Sequence, residues 1–182
     1  MGGTSIDPTC QSTHDNHWSA DATWLAENTS ANEDGHSMLK AFVSNIGRSL
    51  DTIMAKGEKP DIKCMLWHQG ESDRSGNGPD GYHDNLQAVV KYVRDYLVEK
   101  TGQKKYATLP FICGTVPTNS KQYNKKVYAA LFKLQQEDQN FHVIETSPGT
   151  FVGDQLHFDS QCAERLGTSM YNKMVELGLI GK

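Results

Sequence analysis

Long hydrophobic runs are missing from this sequence. No apolar stretch approaches the about 20 residues needed to cross a bilayer, and the opening is polar, without the apolar core of a signal peptide. No membrane partner is therefore expected, and a secreted or periplasmic location is expected only if the full-length protein carries a signal peptide. Excess positive charge is missing too: 18 Lys and Arg against 22 Asp and Glu leave a net charge of −4. A nucleic-acid surface needs a basic stripe to displace counterions, so nucleic acid is not an expected partner. Cysteine is scarce and scattered. Cys10, Cys64, Cys113 and Cys162 form no C-x-x-C pair and have no histidine at zinc-site spacing, so they read as free, structural thiols. His14 and His17 stand three apart in a polar stretch with no third ligand near, which reads as a solvated loop; no metal and no other cofactor is expected.

The material that is present suits one well-buried domain, expected to span residues 1–182, with 37% hydrophobic and 22% charged residues. Residues 1–35 are rich in Ser, Thr, Asn, Asp and Gly and read as a long surface excursion. Apolar positions at Phe42, Val43, Ile46, Leu50 and Ile53 then mark a helical face that stops near Gly57 and Pro60. "IKCMLW" (62–67) has the character of a buried strand. A helix through Leu86, Val89, Val90, Val93 and Leu97 ends at Gly102, and "LPFICGTV" (109–116) makes a second strand. Tyr123, Val127, Leu131 and Leu134 give a third helix, "FHVIET" (141–146) a third strand, and Leu166, Met170, Met174 and Leu177 a fourth helix. Buried-type strands alternating with helices imply an α/β fold with a parallel sheet covered on both faces, whose ligands bind at the carboxyl ends of the strands.

Three segments are expected at that edge, and all are rich in functional groups. "GGTS" (2–5) is a turn-forming stretch of the kind that follows a strand, yet no strand precedes it. "WHQGESD" (67–73) crowds His68, Gln69, Glu71, Ser72 and Asp73 around Gly70, where a sharp turn brings an amide donor close to a developing oxyanion. Alone, a histidine such as His68 is more often a satisfied interior residue than a catalyst. "GDQLHFD" (153–159) sets Asp154 three residues before His157, a spacing that lets the carboxylate fix one ring nitrogen while the other acts as general base. Its plainer reading is a surface loop in which Asp159 or Ser160 caps the following helix. Trp18 and Trp24 serve either as a sugar-stacking surface or as the back of a loop.

Taken together, "GGTSI", "LWHQGESD" and "DQLHFDSQCAERLG" resemble, in order and spacing, the carbohydrate O-acetylesterases that include sialate O-acetylesterase and family 6 acetyl xylan esterases, within the SGNH hydrolase fold. The resemblance runs from residue 2 to about residue 170. It implies a three-layer α/β/α hydrolase with a flavodoxin-like parallel sheet, whose serine attacks an acetyl ester on xylan, sialic acid or another sugar. By position, His157 corresponds to the general base and Asp154 to its partner. Gly3 corresponds to the glycine whose backbone N–H enters the oxyanion hole, with Gly2 beside it, and Gln69 to a side-chain oxyanion donor. His68 and Glu71 line the pocket.

The resemblance has one gap. The family's nucleophile lies in a "GQSN"-like motif on the first strand, upstream of the glycine pair, and no such motif occurs here. Ser5, Ser72 and Ser120 lie near expected loop ends, but none has the strand–Ser–helix context that activates a nucleophile. The expectation is a fold that begins at the second catalytic block and leaves a sheet edge open to association with another chain. Two functions stay open: an acetylesterase completed by that serine, and an inactive glycan-binding remnant that keeps the pocket.

Overall fold

The computed structural model describes residues 2–181. Each of the three apolar runs supplies a four-residue strand: β1 (Met65–His68), β2 (Phe111–Gly114) and β3 (Phe141–Ile144). They pair in parallel in the order β1-β2-β3, with Met65 opposite Phe111, His68 opposite Gly114 and Phe111 opposite Phe141. All four residues of the central strand are buried, as a continuous apolar run demands when helices cover both faces.

The helices form where capping and spacing agree. Ser37 caps α2 (Met38–Ala55) by accepting from Lys40 N, and Leu39, Val43 and Leu50 recur on its buried face. In α3 (Gly78–Thr101) Tyr82, Leu86, Val89, Val93 and Leu97 are buried, and the helix closes at Gly102 as expected. Asn124 caps α4 (Lys125–Glu137), and Asp159 caps α5 (Ser160–Glu176) by accepting from Cys162 N. A core of Trp67, Phe111, Cys113 and Phe141 packs with residues of α2, α3 and α4 on one face of the sheet. On the opposite face α5 lies against β2 and β3, with Leu166 so near Gly114 that a Cβ there would meet its Cδ1 at 2.9 Å. The result is the expected α/β/α layering. Replacing the buried cap Ser37 by alanine removes one acceptor from the start of α2, and a loss of about 1 kcal/mol in urea unfolding is the expected result.

One expectation fails in this region. Within the stretch 1–35, the described residues 2–35 are not a surface excursion: Thr4, Ser5, Ile6, Asp7, Asn16, His17, Ser19 and Ser30 are buried, and Ala22–Glu27 forms a short helix, α1. The segment packs through hydrogen bonds as well as through Ile6, Trp18 and Ala20, which join the hydrophobic core. His17 N donates to His36 O at 2.9 Å, Met38 N to His17 O at 2.9 Å and Trp18 N to Ser5 O at 2.9 Å, while Ser5 Oγ and His17 Nδ1 lie 2.8 Å apart. Polar composition disguised a packed layer whose polar groups are satisfied internally.

Among the described residues, β1 pairs only with β2. Met65 N donates to Pro110 O at 2.8 Å, so the alternating backbone groups of Leu66 and His68 face the unpaired edge. Leu66 is 48% exposed there.

Candidate active site

The turn after β1 is built around Gln69 and Asp73. Gly70 has φ +131°, and a Cβ on it would lie 2.9 Å from Val127 Cγ1, so the turn fits only glycine. The chain then enters a 3-10 turn, Ser72–Arg74, that swings Asp73 inward until it is fully buried. Its carboxylate accepts from Ile6 N (2.9 and 3.1 Å), Asp7 N (2.9 Å) and Gln69 Nε2 (2.5 Å). Burial and the neighbouring Asp7 charge push its pKa up against the pull of those donors. Asp73 thereby ties the opening segment to the β1 turn, a role that nothing in the sequence spacing announced.

Gln69 is held equally firmly. Its Nε2 also donates to Thr4 O at 3.0 Å, and Tyr82 Oη donates to Gln69, lying 3.0 Å from both Oε1 and the backbone carbonyl. Both amide hydrogens thus have protein acceptors, and an oxyanion contact by this side chain requires one of them to be released. Gly3 differs. It adopts φ +72°, its carbonyl accepts from Thr13 N and Thr13 Oγ1 at 2.9 and 3.0 Å, and among the described residues its N–H meets no acceptor.

His68 lies between two acceptors. Its Nδ1 is 3.2 Å from Gly114 O and its Nε2 is 3.1 Å from Glu71 Oε1, so only the imidazolium satisfies both. Burial opposes that charge, but the Glu71 carboxylate and the Gly114 carbonyl outweigh it and raise the His68 pKa. Burial likewise opposes the Glu71 charge, and the bond to His68 outweighs it and lowers the Glu71 pKa. The His68 ring also lies against Phe158, with centroids 5.1 Å apart, a contact that only the folded loop reveals.

The third segment folds as a tight loop, with Val152 N donating to His157 O at 3.0 Å and a bridge between Phe151 and Phe158. Asp154 accepts from Leu156 N at 2.8 Å, His157 N at 3.0 Å and His157 Nδ1 at 2.6 Å. The bond to the His157 ring, joined by those backbone donors, holds its carboxyl down to about 2. With Nδ1 engaged, the neutral ring presents the lone pair of Nε2, and among the described residues nothing occupies it. The His157 side chain is 80% exposed.

Gly2, Gly3, His68, Gln69, Glu71 and His157 line one cleft of about 550 Å³, with Asp154 behind His157. The cleft runs along the open edge of β1, past Met65, Leu66 and Trp67, and Trp18 forms part of its wall. Trp18 lines the cleft, and its ring packs on Trp67 and Phe42 while its Nε1 donates to Thr4 Oγ1. Trp24 lies outside the cleft, edge-on to His17. Of the serines, Ser5 is fully buried and within 3.0 Å of Asp7 O, Ser120 lies in a turn beyond the cleft, and Ser72 lines it without a bond to His157. His14 and His17 join no metal-binding group among the described residues, and all four cysteines are free.

A solved structure of a protein from Arabidopsis thaliana resembles this chain with a TM-score of 0.60 at 24% identity, covering 75% of this chain and 51% of the other. At that identity the likeness speaks for the fold, and this chain spans about half the length of that protein. No curated protein sequence matches the chain. The family described as carbohydrate esterase, sialic acid-specific acetylesterase matches residues 22–176, taking in the β1 turn and the Asp154–His157 loop. With most of its length covered by that match, the chain belongs to the sialic acid-specific acetylesterase family of carbohydrate esterases.

Proposed function

We propose that the cleft removes O-acetyl groups from carbohydrates by serine chemistry, with the serine delivered on a strand that pairs with the open edge of β1. The observation that carries this reading is the Asp154–His157 pair, 2.6 Å apart, beside a cleft lined by His157 and Gly3, where His157 Nε2 and the Gly3 N–H have no partner among the described residues. Nε2 takes the serine proton as the oxygen attacks the acetyl carbonyl, and the charge that develops on the carbonyl oxygen meets the Gly3 N–H. Collapse expels the sugar alcohol, which recovers the proton from His157. Water activated by the same nitrogen then attacks the acetyl-enzyme and releases acetate. Asp154 fixes the tautomer throughout. Gln69 becomes a second oxyanion donor only by releasing Thr4 or Asp73.

Fluorophosphonate labelling followed by intact-mass analysis and peptide mapping tests this. In the chain as it stands, Ser5, Ser72 and Ser120 remain unlabelled. With an upstream segment carrying a GQSN-type motif, the added serine takes the label, and His157→Ala removes it. A label on Ser72 overturns the assignment of the nucleophile. No label in either form favours the catalytically inactive glycan-binding protein.

A further inference from the structure

The two edges of the sheet are finished differently. Phe111 N donates to Asn140 O at 2.8 Å and Thr115 N to Ile144 O at 3.0 Å, so alternation turns the backbone groups of Phe141 and Val143 toward the outer edge of β3. Their N–H groups are capped within the chain: Phe141 N donates to Asp138 O at 2.9 Å, and Val143 N to the side-chain Oε1 of Gln135, on α4, at 2.7 Å. A further strand on that edge would have to displace both bonds. At the edge of β1 the N–H groups of Leu66 and His68 find no acceptor among the described residues, and Cys64 follows the same alternation just before the strand.

The open edge is also apolar. Among the described residues Leu66, Val152 and Tyr171 are the large apolar side chains that stay exposed, and Leu66 alone of them belongs to a strand. Neither proline nor lysine, residues that commonly blunt an edge, occurs in Met65–His68. The charges flank the strand instead, with the exposed Lys63 before it and Glu71 after it. Pairing of β1 with itself fits all of these features. In antiparallel alignment about a twofold axis at Leu66, the Leu66 residues of two copies exchange N–H···O bonds, and His68 of each copy does so with Cys64 of the other. The two Leu66 side chains then meet on one face of the sheet. Lys63 at the start of one strand comes beside the Glu71 end of the other, whereas a parallel alignment would set Lys63 by Lys63.

We infer that the chain as it stands closes its β1 edge with a second copy of itself, forming one continuous sheet across the twofold axis. The strand assigned to carry the serine uses the same edge, so the dimer and the completed esterase site exclude each other. Only that exclusion rests on the esterase reading; the dimer does not. Four residues of strand make a small interface, and a dissociation constant of about 1–100 μM is expected.

Sedimentation velocity from about 1 to about 300 μM, with amide exchange read at both ends of that range, tests this. The expected result is a monomer that gives way to a dimer, in which the amides of Leu66 and His68 exchange about tenfold more slowly. Leu66→Lys sets two like charges on the axis, and Lys63→Glu sets a carboxylate by Glu71; each weakens the dimer about tenfold or more. Lys63→Glu, at an exposed site, keeps the test open where Leu66→Lys fails to fold. A monomer throughout, a dimer whose Leu66 and His68 amides exchange at the monomer rate, or a dimer untouched by both substitutions overturns the proposal. Adding the upstream strand is expected to give a monomer that takes the fluorophosphonate label. That form labelled while the chain alone stays monomeric overturns the dimer and keeps the esterase reading. A Leu66-dependent dimer in both forms, with neither labelled, keeps the dimer and defeats the esterase reading alone.

Discussion

Replacing Asp73 by alanine lowers stability by about 3–5 kcal/mol, because one truncation leaves three donors unsatisfied in the interior. The backbone N–H groups of Ile6 and Asp7 lose their acceptor, and Gln69 Nε2 loses one of its two. Ile6 is 1% exposed and Gln69 7%, so water replaces little of what is removed. Asp73→Asn is the milder change. It keeps the shape and one acceptor oxygen but turns an amide toward a donor, and it removes the repulsion from Asp7 that helps to raise the Asp73 pKa. Urea unfolding of both variants, with amide exchange at Ile6 and Asp7, separates the effects. Alanine within about 1 kcal/mol of the parent, with those amides still protected, contradicts the anchoring role.

That role explains which parts of the fold were legible in the sequence. The strands and long helices were, since Phe111–Gly114 reads as a continuous apolar run and Leu86, Val89, Val90, Val93 and Leu97 fall on one helical face. The two loops with functional groups at strand ends were also legible, because a sharp glycine turn or an Asp-x-x-His spacing is a local property. Residues 2–21 were not. Their burial depends on partners about sixty-six residues away, as in Asp73 with Ile6 and Asp7, and a polar side chain carries no mark of whether its acceptor is water or protein. Phe158 was missed for a similar reason: the folded loop, and not the sequence spacing, stacks it on His68. Tyr82 was missed as well, since only the folded chain brings its hydroxyl back to Gln69.

The His68–Glu71 pair makes the cleft sensitive to pH, and the sign follows from the two shifts. The His68 pKa is raised above its ordinary 6.5, so its contribution to stability is complete below that value and is lost as pH rises through the folded-state pKa. The Glu71 pKa is lowered below its ordinary 4.5, so its contribution is complete above that value and is lost as pH falls through the folded-state pKa. Both are fully present between pH 4.5 and 6.5. The side chains are only 25% and 28% exposed, and Glu71→Gln leaves the imidazolium facing a single full acceptor, the Gly114 carbonyl. The expected cost is about 1–3 kcal/mol at pH 5.5, shrinking toward pH 8.5 as the parent loses the same proton. A double-mutant cycle with His68→Phe, in urea at both pH values, isolates the coupling, and a coupling that is absent or independent of pH rejects the ion pair. Because the His68 ring lies against Phe158, the residue after His157, the same titration is expected to loosen the loop that carries His157. Faster amide exchange at residues 155–158 above neutral pH, suppressed in His68→Phe, is the expected local signature.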